Sequence, residues 1–182
     1  PPPALPPPPS LLSEAYRFVF TRARSATTPN IQLQEVRFYG VSGPLRIGFV
    51  SNPDGGSPKN QPVEDVIDGD VTTPGSKWLD NHFGDAGSST LFLELASPQI
   101  VTAYDLMTAN DVPNRDPVSW EFSRNLGGGW ILMDSQTDFP APRKRQAWYT
   151  EGQAALGFAL YPAPPQTLVS LLLELWFGTV HS

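Results

Sequence analysis

The stretch VEDVIDGDVTTPGSKWLD, Val63 to Asp80, crowds three carboxylates, Asp65, Asp68 and Asp70, into a short run of glycines and threonines. Like charges this close repel, so either water solvates them in an ordinary turn or a cation sits among them. Calcium takes six to eight hard oxygen ligands, and loops that mix Asp side chains with backbone carbonyls supply them. The helix–loop–helix spacing D-x-[DN]-x-[DN]-G is absent, because Gly69 falls directly between Asp68 and Asp70. The metal-free alternative is an Asx-turn, in which Asp68 accepts backbone N–H bonds.

Catalytic constellations are scarce. The chain has two histidines, His82 and His181, and neither lies in an HExxH motif. No serine occupies a G-x-S-x-G elbow. Glu94 and Glu121 sit inside alternating strand patterns, where a solvated outer face suits them better than an acid/base pair. NLGGGW is glycine-rich but lacks the Lys and following helix of a phosphate loop, and reads as a hairpin turn. The expectation is a chain that is not an enzyme. Without cysteine there is no thiolate nucleophile, thiolate metal site or disulfide framework.

Composition bounds the partners. A formal net charge of −6 argues against nucleic acid and anionic membrane surfaces, since phosphate binding needs a basic surface; Arg143, Lys144 and Arg145 are the clearest basic cluster. The apolar run LVSLLLELWFG is about half as long as a membrane span, so no transmembrane segment is expected. No Asn-x-Ser/Thr sequon occurs.

The elements that must position these residues read as strands. Tyr16, Phe18 and Phe20 alternate with Arg17, Val19 and Thr21. IQLQEVRFYG alternates again, with a phase slip between Leu33 and Val36 that predicts a bulge near Glu35. STLFLELASP, IVTAYDLMTAND, VSWEFSRN, GGWILMDSQT and RQAWYTEGQAALGFALY add further strands, divided by Gly/Pro turns, and no helical stripe appears before residue 166. The expected class is all-β, a sandwich or barrel. Residues 1–12 form a proline-rich linker in polyproline II conformation, residues 13–162 the β domain, and residues 163–182 a tail that fits a strand or a short helix equally well. Opening on PPPALPPPPS, without Met or a signal peptide, the chain reads as a segment of a larger or processed protein.

EDVIDGDVTTPGSKWLD, STLFLELASP and AYDLMTANDVPNRDPVSWEFSRNLGGGWILMDSQT, in that order, resemble the discoidin, or coagulation factor 5/8 type C, family of galactose-binding-like domains. YRFVFTRARSATTPNIQLQEVRFYG resembles the strand pair that carries the family's IQL signature, placed here at the N-terminus instead of the C-terminus. The resemblance spans roughly residues 14–161 and implies a jelly-roll β-sandwich.

In calcium-binding members the resemblance maps the cage onto the side chain of Asp68, carbonyls near Asp65 and Asp70, a hydroxyl at Ser76 with Thr73 as a rival, and Glu35 with the carbonyl of Gln34. Such a calcium would be structural. In carbohydrate-binding members, loops at one end grip sugar hydroxyls with planar polar side chains and pack a ring on the pyranose. The corresponding candidates are Asn81, His82, Phe83, Asn110, Asp111, Asn114 and Arg115, although His82 fits an ordinary exposed loop and Arg115 could instead pair with Asp116. Trp78, Trp120 and Trp130 read as core.

The expectation is a non-catalytic module of an extracellular or cell-surface protein, partnered by a glycan or a matrix or cell-surface glycoprotein. The proline tract resembles the hydroxyproline-rich spacers of algal and plant wall glycoproteins. The alternative is a structural protein–protein module that assembles with neighbouring copies into a fibre or array, without sugar.

Overall fold

The computed structural model describes residues 15–125, 128–150 and 156–157. The proline-rich linker and the apolar tail from 163 lie outside the described residues.

Eleven strands are described: β1 (Ala15–Ala23), β2 (Ile31–Leu33), β3 (Glu35–Gly40), β4 (Gly43–Leu45), β5 (Ile47–Ser51), β6 (Trp78–Asp80), β7 (Ser89–Leu95), β8 (Ala103–Met107), β9 (Pro117–Asn125), β10 (Trp130–Gln136) and β11 (Leu156–Gly157). The helical content is one four-residue turn, α1 (Phe83–Ala86), and short 3-10 turns at Val63–Ile67 and Pro113–Arg115. A five-stranded sheet runs β10-β9-β1-β7-β5 and a four-stranded sheet β11-β8-β3-β4, with β2-β6 as a separate pair. All pairings are antiparallel.

Alternation decides which face each strand buries. Tyr16, Phe18 and Phe20 of β1 and Phe122 of β9 point inward from one sheet, and Phe38 and Tyr104 from the other; all are buried. Their rings meet between the layers: Phe18–Phe122 at 4.6 Å, Phe18–Tyr104 at 4.9 Å in an edge contact, and Tyr16–Phe38 at 5.2 Å. The chain is therefore an antiparallel β-sandwich with an aromatic core. Trp120 Nε1 donates to the Tyr104 hydroxyl at 2.7 Å, and that hydroxyl donates to Asp134 at 2.5 Å, so the two layers also share a satisfied polar link.

The phase slip near Glu35 falls at Gln34, which interrupts the strand: β2 pairs with β6, and β3 beyond it pairs with β8. Residues 43–51 cross the edge of the sandwich. β4 pairs with β3 in one sheet, β5 pairs with β7 in the other, and Arg46 lies between. The segment from Arg145 onward departs from expectation: its described part gives an isolated Met107–Trp148 bridge and the two-residue β11.

Register fixes which loops share an end. Ala23 faces Pro117, Phe20 faces Ser89 and Trp120, and Gln136 faces Trp120. In the second sheet Glu35 faces Met107, from which the chain runs on to the start of β9. The connections 24–34, 52–77, 81–88, 108–116 and 137–147 consequently gather at one end of the sandwich.

Candidate functional site

The acidic loop hangs from the 3-10 turn at Val63–Ile67, anchored by the buried Val66. Asp68 Oδ1 accepts the Asp70 N–H at 2.7 Å, the Asx-turn geometry, and its Oδ2 accepts the Ser76 hydroxyl at 2.5 Å. Asp70 Oδ1 accepts the N–H groups of Thr73 at 2.8 Å and Thr72 at 3.0 Å. Bonds from Thr73 and then Thr72 hold the Asp70 carboxyl down at about 2. The Asp65 carboxyl is pushed up, by burial and then by the charge of Asp68. Between Asp68 and Asp70, Gly69 adopts φ +79°, a left-handed conformation that costs glycine little.

That glycine joins the loop to the strand. Gly69 N donates to Glu35 Oε2 at 3.1 Å, across 34 residues of sequence. Glu35 is only 5% exposed, and burial, with the nearby carboxylates of Asp68 and Asp70 adding to it, raises its carboxyl to about 8. Gln34 beside it is fully buried; its Nε2 donates to the carbonyls of Asp70 at 3.0 Å and Thr73 at 3.4 Å, and its Oε1 has no partner. A cavity of about 430 Å³ opens next to this cluster, lined among others by Glu35, Arg37, Arg46, Asp68 and Gly69.

Asp68 and Ser76 are thus bonded to each other, Glu35 is bonded to the same loop through Gly69 N, and Ser76 rather than Thr73 is the hydroxyl beside Asp68. Among the described residues no three His, Asp or Glu side chains converge as a metal site. A cation here would depend on hydroxyl and carbonyl oxygens as well as carboxylates. An orphaned buried acceptor and a carboxyl kept from ionising by burial and like charge fit a hard cation chemically.

The second set of candidates divides. Asn81, His82 and Asn114 are exposed and Arg115 half-exposed, and their side chains make no hydrogen bond among the described residues. Phe83 corrects the expectation: it is buried in the core, because it opens α1 on the inward side. Asp111 is also committed. It forms an ion pair with Lys77, whose buried Nζ reaches Gln32 Oε1 as well, while Gln32 Nε2 donates to the Asp111 carbonyl at 2.8 Å. Asn110 is half-buried, with an Oδ1 that has no partner. Arg115 and Asp116 do not pair. Asp116 accepts instead from Arg145, bidentate at 2.8 and 2.6 Å, and from Arg24 at 3.0 Å.

Sequence reasoning gave no role at this end to the groups that shape it: Lys77, Gln32, Arg24, Arg145 and Asp80. Buried Asp80 accepts from Ser89 Oγ at 2.5 Å, His82 N at 2.8 Å, Gly56 N at 2.9 Å and Asn52 Nδ2 at 3.0 Å. Burial would raise its carboxyl, but these donors outweigh burial and lower it. The only signal was Asp80 at the end of a strand, ahead of a loop full of N–H groups. Loop 24–30 bonds to both candidate loops, through Ser25 N to the Asn114 carbonyl and Gly84 N to the Pro29 carbonyl. A Cβ on Gly84 would lie 2.7 Å from Pro29 Cα. Gly84→Ala is therefore expected to cost about 1–3 kcal/mol in urea unfolding by forcing these loops apart; a change below about 0.5 kcal/mol would show that they tolerate separation.

No family model matches the chain, and no solved structure matches it significantly. A stretch of 37 residues, 19% of the chain, is 51% identical to a peptide-N(4)-(N-acetyl-beta-glucosaminyl)asparagine amidase of Arabidopsis thaliana, and the match covers 5% of that protein's length. Among the described residues no helix is long and apolar enough to cross a membrane.

Proposed function

We propose that the chain is a non-catalytic, glycan-binding module of the discoidin kind, a jelly-roll sandwich with a structural calcium, preceded by a polyproline II segment and carried by an extracellular or cell-surface protein. The observation that carries the proposal is a set of planar polar side chains without a hydrogen-bond partner among the described residues, Asn81, His82, Asn114 and Arg115, on the loops of the end where the acidic loop is tied to β3. Groups of this type make paired hydrogen bonds to vicinal hydroxyls, and ion pairs that hold the backbone of this end lower the ordering cost on binding to that of the side chains themselves. Calcium would be held by Glu35, Asp68, Ser76 and neighbouring carbonyls, and would tie the acidic loop to β3. The segment shared with an amidase named for an N-acetyl-beta-glucosaminyl substrate supports a sugar-handling parent protein.

A glycan array probed with the full chain, with and without chelator, tests this. Binding is expected on a subset of glycans, and Asn114→Ala combined with Arg115→Ala should weaken it about tenfold or more, the loss of one or two charge-assisted hydrogen bonds. Silence across the array from a folded, calcium-loaded protein would sink the proposal.

A further inference from the structure

We infer that the outer face of the five-stranded sheet is a docking platform for the chain's own proline-rich tract, residues 1–9. An outward sheet face facing water is expected to be polar. Here it carries a band of rings and aliphatic groups. Register places Leu132 of β10, Ser123 of β9, Arg17 of β1 and Phe92 of β7 in one row, and Trp130, Asn125, Ala15, Glu94 and Phe49 in the next.

The large side chains close over the small ones. Trp130 and Phe92 start three strands apart, yet their ring centroids lie 5.5 Å from each other, and the Arg17 guanidinium sits 4.8 Å from the Trp130 ring. Ser123, an outward residue, is buried. Leu132 and Phe49 flank the rings and are 54% and 51% exposed. The sequence pattern expected Trp130 in the core; the register instead turns it outward, opposite Asn125.

The choice of occupant follows from where the described chain starts. Ala15 lies in the same row as Trp130 and Phe49, and Ser10–Glu14 separate it from a tract with seven prolines in its first nine residues. Five extended residues span about 17 Å. Trp130 is two strands from Ala15, about 10 Å away, and Phe92 belongs to the strand beside β1. Five residues are long enough for the tract to reach the face. Proline-rich segments bind aromatic-lined surfaces because their rings are apolar and their backbone is already stiff, so little entropy is lost on docking. The tract's side chains carry no charge; of the two charges on the platform, Arg17 already rests on the indole, and Glu94 stands exposed between Ala15 and Phe49.

Nuclear Overhauser spectroscopy of the full chain with labelled proline tests the inference. Contacts are expected between the ring protons of Pro6–Pro9 and the rings of Trp130 or Phe92, independent of protein concentration. The same proline lines should be shifted upfield by ring currents and should return to random-coil positions in Trp130→Ala. Random-coil proline shifts in the wild-type chain would overturn the inference, with no variant required. So would contacts that arise only between differently labelled chains, which would assign the face to a second copy.

Discussion

Asp116→Ala is expected to lower the unfolding free energy by about 3–5 kcal/mol, the usual loss when one partner of a buried ion pair is removed. For a domain of this size that corresponds to roughly 10 °C in melting temperature. The Asp116 side chain is completely buried and holds two guanidinium groups, which themselves bridge separate segments. Arg24 also donates to the carbonyls of Pro113 at 3.0 Å, Ala141 at 2.9 Å and Pro142 at 2.9 Å, and Arg145 to that of Asp111 at 3.2 Å. Without the carboxylate, two cations face each other in a half-buried space, and the 108–116 and 137–147 connections lose their common anchor. Arg115→Ala, one residue away, should change stability by less than about 0.5 kcal/mol, because its side chain makes no hydrogen bond and acts on Asp111 only through charge attraction. Urea unfolding of both variants measures the contrast. Equal, small effects would mean that the buried cluster contributes specificity rather than stability.

Calcium at a hundredfold excess over its dissociation constant should stabilise the domain by about 2.7 kcal/mol, a rise of roughly 5–10 °C in melting temperature. Chelator should reverse it and Glu35→Gln abolish it. The pH dependence follows from the buried carboxyl. Glu35 in the fold titrates at about 8, above the unfolded value near 4.5, so the metal-free fold binds a proton that the unfolded chain gives up. The stability this contributes is present below the unfolded value and lost as pH rises through about 8. In chelator, the protein should therefore melt lower at pH 8 than at pH 5, and Glu35→Gln should flatten that slope. Calcium requires the ionised carboxylate, so its affinity rises with pH and the gap between the calcium and chelator curves widens. Coincident curves at pH 8 would remove calcium from the proposed function.

These expectations rest on different levels of information. Period-two alternation in β1 and β7 was legible in the sequence, because a strand that buries one face must place Phe18, Phe20, Leu91 and Leu93 on it whatever it pairs with. The phase slip at Gln34 was legible for the same reason, since a strand that changes partners loses a residue of register. The family resemblance named Glu35, Asp68 and Ser76 with the carbonyl of Gln34, but not the Gln34 side-chain oxygen, which is buried without a partner.

The rest depended on partners far away in sequence. Nothing local distinguishes Asp80 and Asp116, which are internal braces, from Asp70, which caps its own turn. The first two accept from residues up to 28 and 92 positions away in the chain only because the sheets bring those residues close. The same holds for Lys77 on Asp111, for Phe83 turned into the core and for Trp130 turned out of it. Local periodicity decides that a residue lies on a strand face. Which face meets the opposite layer, and which charge meets which, is decided by sheet pairing, a property of the whole chain and of no single stretch of it.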